Sequence, residues 1–196
     1  MTRRSVAVGA VAIALGSVLM LSLVWGLQHA ALSNPPVLGR AAPKLAIQTA
    51  SGSEVRVWDL QGRPVVLNFW ASWCGPCVQE GDVLATASAS HPGVEFVGAD
   101  NRDTTSGFQA FEQRHPHVYP AGPIVSGSYQ SYGVAGLPAT FFIDAQGVVA
   151  ASFSGPLDAS TLQQKYRWLN EQAANSPQTT TFGQAAVTAT SPAAGP

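Results

Sequence analysis

Trp73-Cys74-Gly75-Pro76-Cys77 contains the only two cysteines of the 196-residue chain. Two thiols at this spacing can form a structural disulfide, supply half of a zinc site, or exchange electrons as a redox pair. A CxxC bridge closes too small a loop to staple a fold effectively. A zinc site needs further ligands, and no second cysteine pair exists; His115-Pro116-His117 lies in a turn-rich stretch and reads, like His91, as surface histidine. Redox chemistry is the favoured use of the pair.

That chemistry depends on how the thiols are positioned. Val65-Val66-Leu67-Asn68-Phe69-Trp70 is a short, mostly apolar run of the kind expected of a strand buried on both faces. A helix is predicted to follow from about Cys74 to Ala89. At a helix N-terminus, unpaired backbone N–H groups and the helix dipole stabilise a thiolate, so Cys74, expected on the exposed side, should ionise readily and act as nucleophile. Cys77, one turn later, is placed to attack a mixed disulfide on Cys74 and release the partner, which makes it the resolving thiol.

Strand-like and helix-like patterns alternate through the rest of the chain. Leu45 to Thr49 and Glu54 to Trp58 flank Ala50-Ser51-Gly52-Ser53 as a hairpin, and Val94 to Ala99 is a second buried strand. Asp103 or Thr104 can cap a helix through Phe108, Phe111 and Arg114. Ala139 to Ile143 and Val148 to Phe153 pair around Ala145-Gln146-Gly147, and a last helix starts after Asp158 with Leu162, Tyr166 and Leu169 on one face. The expected class is α/β, with a mixed central sheet flanked by helices.

Outside this part the composition changes. Arg3 and Arg4 form a short cytoplasmic stub (1–4), followed by 23 residues, Ser5 to Leu27, without Asp, Glu, Lys, Arg or Pro. As a helix this run reaches roughly 34 Å, enough to cross a hydrocarbon core. Trp25 suits an interface, and the arginines keep the N-terminus inside, so the chain is expected to be a single-pass membrane protein with its domain on the extracytoplasmic, periplasmic side. The competing reading is a signal peptide cleaved after Ala31-Leu32-Ser33, although such apolar regions are usually about 7 to 15 residues long. Residues 28–43, with Asn34-Pro35-Pro36 and Ala41-Ala42-Pro43, read as a linker. The domain is expected over 44–172, and 173–196 reads as a disordered tail without a charged side chain. Charged residues make up 11% of the chain and the net charge is -1, which excludes the basic footprint of a nucleic-acid binder. At 46% hydrophobic residues, disorder throughout is excluded as well.

Gly62-Arg63-Pro64-Val65-Val66-Leu67-Asn68-Phe69-Trp70-Ala71-Ser72-Trp73-Cys74-Gly75-Pro76-Cys77 resembles the thioredoxin superfamily. It is most similar to the membrane-anchored, extracytoplasmic TlpA/ResA/CcmG(DsbE)-like thiol-disulfide oxidoreductases, and the likeness covers about residues 43 to 170. The resemblance implies a thioredoxin-like fold with an N-terminal hairpin. It also implies a central insertion of about a helix and a strand over Asp103 to Val125, within the 64 positions that separate Cys74 from Pro138. Asn68 stands where cytosolic thioredoxins usually carry a buried Asp. Glu80 matches an acidic residue thought to tune the cysteines in relatives; a solvated helix glutamate is the alternative, and spacing leaves both open. Gly136-Leu137-Pro138-Ala139-Thr140-Phe141 matches the second signature, which implies a cis Leu137-Pro138 bond opposite Cys74 and a Leu137 backbone open to a substrate strand. Trp73 is expected on the exposed apolar rim; Trp70 could belong to rim or core.

By the same resemblance, Gly75-Pro76 between the cysteines fits reducing thioredoxins, and no cofactor or metal is implied beyond the Cys74-Cys77 dithiol. The implied substrates are exported protein disulfides, such as the CxxCH motif of apocytochrome c in cytochrome c maturation, with a CcdA- or DsbD-type membrane thiol donor. Ala139 departs from CcmG-like proteins, which often carry an acidic residue there. The alternatives are an extracytoplasmic oxidase or isomerase on the same fold and, more distantly, a non-enzymatic tethered binding or copper-handling module. A peroxidase is set aside, because the lone attacking cysteine and Pro/Thr pattern of peroxiredoxins are missing.

Overall fold

The computed structural model describes residues 13–25 and 37–175, with the side chains of 168–175 left out. Seven strands form one mixed sheet in the order β2-β1-β5-β4-β3-β6-β7: β1 Ala46–Gln48, β2 Glu54–Arg56, β3 Val65–Trp70, β4 Glu95–Asp100, β5 Ala121–Ser126, β6 Ala139–Ile143 and β7 Val149–Ser154. Three helices pack on it: α1 Gly75–Ser90, α2 Thr105–Arg114 and α3 Ala159–Asn175. β3 lies parallel to β4 and antiparallel to β6, and β4 lies parallel to β5. The segment between Asp103 and Val125 holds one helix, α2, and most of one strand, β5.

The alternation of β3 divides the core. Val65, Leu67 and Phe69 join Val97, Ala99, Phe141 and Ile143 on one face. Val66 packs with Leu84, Phe96, Phe142 and Tyr166 on the other, where Trp70 closes the end beneath α1 and α2. Every residue of β3 is buried, as a strand covered on both faces requires. Asn68 is the polar exception within it.

The N-terminal hairpin is shorter than its pattern, because the chain turns at Val57 into a 3-10 segment, Val57–Leu60, that buries Val57 and donates its N–H to the Leu45 carbonyl. Val37 to Ala42, expected in the linker, run along the sheet edge instead. Gly39 N–H donates to the Val149 carbonyl at 2.8 Å, Val149 N–H to the Arg40 carbonyl at 2.9 Å, and Ala41 bridges Val148.

Residues 13–25 are helical, with Ile13, Leu19 and Leu21 largely exposed. Among the described residues no helix is long and apolar enough to cross a membrane. The expected stub, the ends of the Ser5 to Leu27 run, the Ser33 cleavage site, residues 28–36 and the tail beyond Asn175 lie outside the described residues.

Gly122 lets β5 approach β1. A Cβ there would sit 1.8 Å from the Gln48 carbonyl oxygen, a backbone atom that cannot yield without breaking the strand pairing. Gly122→Ala is therefore expected to cost about 3 kcal/mol. Gly81→Ala, on α1 with nothing within 4 Å, should gain about 0.5–1 kcal/mol from helix propensity. Urea midpoints of the two variants measured side by side check both signs.

Candidate active site

Cys74 is the N-cap of α1, with an extended backbone, and its Sγ accepts the Cys77 N–H at 3.3 Å. Gly75 and Pro76 form the exposed first turn; proline there costs no hydrogen bond, because the first helical N–H groups have no partner within the helix. Cys74 and Cys77 form a disulfide. The expectation that Cys74 lies on the exposed side needs correction: in this disulfide form each cysteine is 5% exposed. Both cysteines lie in a buried cluster with Trp70, Ala71, Phe108 and Phe111, against which Leu137 packs.

Trp73 is 62% exposed, and its Nε1 donates to the Arg102 carbonyl at 3.2 Å. Arg102 takes a left-handed conformation, φ 62°, and its guanidinium Nε donates to the Tyr129 hydroxyl at 2.8 Å. Asp103 ties this loop to the active-site turn: its carboxylate accepts the Ser72 N–H at 2.7 Å and the Thr104 N–H at 2.8 Å. Thr104 in turn caps α2 by accepting the Gly107 N–H. Trp70 belongs to the core, its ring 4.8 Å from Phe111 and 4.5 Å from His117.

The Leu137-Pro138 peptide is cis. Pro138 is buried and Leu137 half-buried, just ahead of the β6 ladder, which begins at Ala139.

Glu80 is not a solvated helix residue. It lies one turn beyond Cys77 and is 1% exposed. Asn68 donates its amide to Glu80 Oε1 at 2.8 Å and to the Thr140 hydroxyl at 3.0 Å, and the Leu157 N–H donates to Glu80 Oε2 at 2.8 Å. Burial pushes the carboxyl up to about 7, with these hydrogen bonds opposing the rise only in part.

The sequence reading missed three groups. Asp100, at the end of β4 beside Trp70, is 4% exposed, and its Oδ1 has no hydrogen-bond partner. Burial, with Asp103 and Glu112 nearby, pushes it up to about 7. The spacing Phe96-x-Gly98-x-Asp100 carried the signal, since it continues an inward-facing alternation into an acid. His117 is half-buried instead of loop-exposed, and its Nδ1 pairs with Glu112. Tyr119 packs against the clusters on either side of it, and burial keeps its phenol protonated well above the usual range. No local signal marks these last two, whose positions depend on the path from α2 to β5. Among the described residues, no group of three His, Cys, Asp or Glu could hold a metal ion.

A disulfide at a helix N-terminus beside a cis-proline loop, on a mixed sheet of this order, defines a thioredoxin-like thiol-disulfide oxidoreductase. The chain belongs to the AhpC/TSA family, whose profile matches residues 38–152. It is 30% identical over 124 residues to the thiol-disulfide oxidoreductase ResA of Bacillus anthracis, covering 60% of this chain and 70% of that one. It is also 30% identical over 132 residues to the thiol:disulfide interchange protein HelX of Rhodobacter capsulatus, covering 65% and 73%. Among solved structures it resembles dsbF of MTB with a TM-score of 0.56 at 31% identity, covering 63% and 93%. These relatives bear out the likeness to the ResA and DsbE branch.

Proposed function

We propose that this oxidoreductase is tethered to the membrane, faces outward, and reduces exported protein disulfides, with the CxxCH motif of apocytochrome c as its leading substrate. The observation that carries the direction is the buried Glu80 one turn beyond Cys77. A carboxylate held there opposes a thiolate on Cys77, which withholds from the reduced form the stabilisation that ionisation would give it and so keeps the potential of the pair low. The Gly75-Pro76 dipeptide supports the same direction. The tether is supported by the uncharged Ser5 to Leu27 run and by its helical, exposed residues 13–25.

Cys74 attacks the substrate disulfide, and the α1 N-terminus stabilises its thiolate. The half-buried Leu137, ahead of the β6 ladder, offers backbone to an extended substrate beside Cys74, with Trp73 as an apolar contact. Cys77 then attacks Cys74 and frees the reduced substrate. The resulting Cys74-Cys77 disulfide is re-reduced by a membrane dithiol donor of CcdA or DsbD type.

The test is the reduction potential of the full chain in glutathione buffers, followed by tryptophan fluorescence. A value near or below about -230 mV is expected. A value above about -150 mV would reverse the direction, making the protein an oxidase or isomerase.

A further inference from the structure

Cys77 is enclosed differently on its two sides. Towards Glu80, the two carboxylate oxygens accept hydrogen bonds from Asn68 and the Leu157 N–H. On another side lies a cavity of ≈ 270 Å³ lined by Cys77, Asn68, Trp70, Asp82, His117 and Tyr119, among others, and Glu80 is not part of its wall. Cys77, Asn68, Tyr119 and His117 thus line one space large enough for several waters.

His117 is held firmly at that wall. Its Nδ1 pairs with the Glu112 carboxylate, and its backbone N–H donates to the same carboxylate at 3.3 Å. Its ring packs on Trp70 at 4.5 Å and Tyr119 at 5.3 Å. With Nδ1 committed to Glu112, Nε2 remains for proton exchange. A base oriented by a carboxylate and lining the same cavity as a redox cysteine has the arrangement of an acid–base group acting through water. The other titratable groups around it are Asp82 on α1, His115 and Tyr119 on its own loop, Asp100 on β4, whose carboxyl feels Glu112, and Glu80 on α1, which accepts from Asn68 and whose charge reaches Tyr119.

We propose that His117, oriented by Glu112, exchanges the Cys77 proton through water in this cavity. The inference rests on the reading of Cys77 as the resolving thiol. During resolution, the Cys77 S–H proton passes through water to His117. The Cys77 sulfur forms its bond to Cys74, and the Cys74–substrate bond breaks with its electron pair leaving on the substrate sulfur. The substrate is reduced by two electrons, the Cys74-Cys77 pair is oxidised, and the departing thiolate takes a proton from solvent. When a dithiol protein re-reduces the disulfide, Cys77 leaves as thiolate and His117 returns a proton to it. Glu80 sets the electrostatic environment of Cys77, while His117 moves the proton.

The test follows the reduced full chain mixed with oxidised glutathione, timing formation of the Cys74-glutathione mixed disulfide separately from release of the second glutathione by Cys77. His117→Gln is expected to slow the second step at pH 7 by about tenfold or more, with an increased solvent isotope effect. The first step and the equilibrium constant with glutathione should stay unchanged, because a relay accelerates both directions alike. Added imidazole should restore much of the rate lost in His117→Ala. Glu112→Gln, which keeps an acceptor for the ring, should show a smaller slowing of the same step, and it carries the test if the His117 variants fail to fold. An unchanged second step overturns the proposal, as does a loss that imidazole does not restore or one that the equilibrium constant shares. Failure of the wild-type protein to form or resolve the mixed disulfide would instead overturn the oxidoreductase cycle on which it rests.

Discussion

Cys74→Ser is expected to abolish disulfide exchange, lowering the rate by at least about 10³-fold, while Cys77→Ser should accumulate a covalent complex with its substrate. The two outcomes differ because the roles differ. Cys74 is the N-cap whose sulfur accepts the Cys77 N–H at the start of α1, so in the proposed cycle its thiolate starts the reaction. Without Cys77 the first attack still occurs, but nothing breaks the Cys74–substrate bond. Serine is also a preferred N-cap, and its oxygen can accept the Cys77 N–H that Cys74 Sγ accepts at 3.3 Å. The Cys74→Ser fold should therefore persist, and the loss can be read as chemistry. Thiol-assay kinetics, non-reducing gels and intact mass, with reduced Cys74→Ser and reduced wild type compared by circular dichroism, check both expectations. Full biological activity in Cys74→Ser would reject the catalytic cycle and favour a tethered binding or copper-handling role.

What the sequence made legible was mostly local. The buried run Val65 to Trp70, the Cys-Gly-Pro-Cys turn with proline inside the helix start, and the Thr104 cap each need only a few neighbouring residues to be recognised. The features that were hidden depend on segments distant in the chain. Glu80 is at helix spacing whether dry or wet, and its burial is settled by Asn68 on β3 and by Leu157, 77 positions later. His117 reads as a loop residue because proline and a second histidine precede it, yet α2 presents Glu112 and β3 presents Trp70 to its ring. Val37 to Ala42 lack any periodic pattern, since their pairing follows the edge of β7 and needs no inward-facing alternation of their own.

The stability of the oxidised protein should fall as pH rises from about 5 to 8, the reverse of the usual carboxylate behaviour. Glu80 moves from an ordinary 4.5 to about 7 on folding, and Asp100 from 3.8 to about 7; in both cases burial is the main cause. Across that interval the folded state binds more protons than the unfolded chain. The stability contributed by each neutral carboxyl is therefore fully present below the unfolded value, about 4, and is lost as pH passes through about 7. At about 1.4 kcal/mol for each pH unit, the effect is on the order of 3 kcal/mol per group, a large part of the stability of a domain this size. Asp100 should contribute the larger share, because its Oδ1 has no partner, whereas both Glu80 oxygens accept hydrogen bonds that offset part of the burial. Asp100→Asn, close in shape and neutral at every pH, is expected to remove more than half of the slope, and Glu80→Gln most of the remainder. Glu80→Gln should also lower stability at pH 5, because an amide nitrogen replaces one oxygen and cannot accept from the Leu157 N–H as well as serve Asn68. Urea midpoints at pH 5 and 8, with the disulfide intact, measure all three proteins. A wild-type midpoint that does not move, or a slope that both variants leave in place, would mean that these carboxyls ionise inside the fold without penalty. The same titration reaches the chemistry through Glu80 alone, since charging it beside Cys77 disfavours the thiolate. Glu80→Gln should therefore raise the reduction potential at pH 8 more than at pH 6, while Asp100→Asn leaves that difference in place.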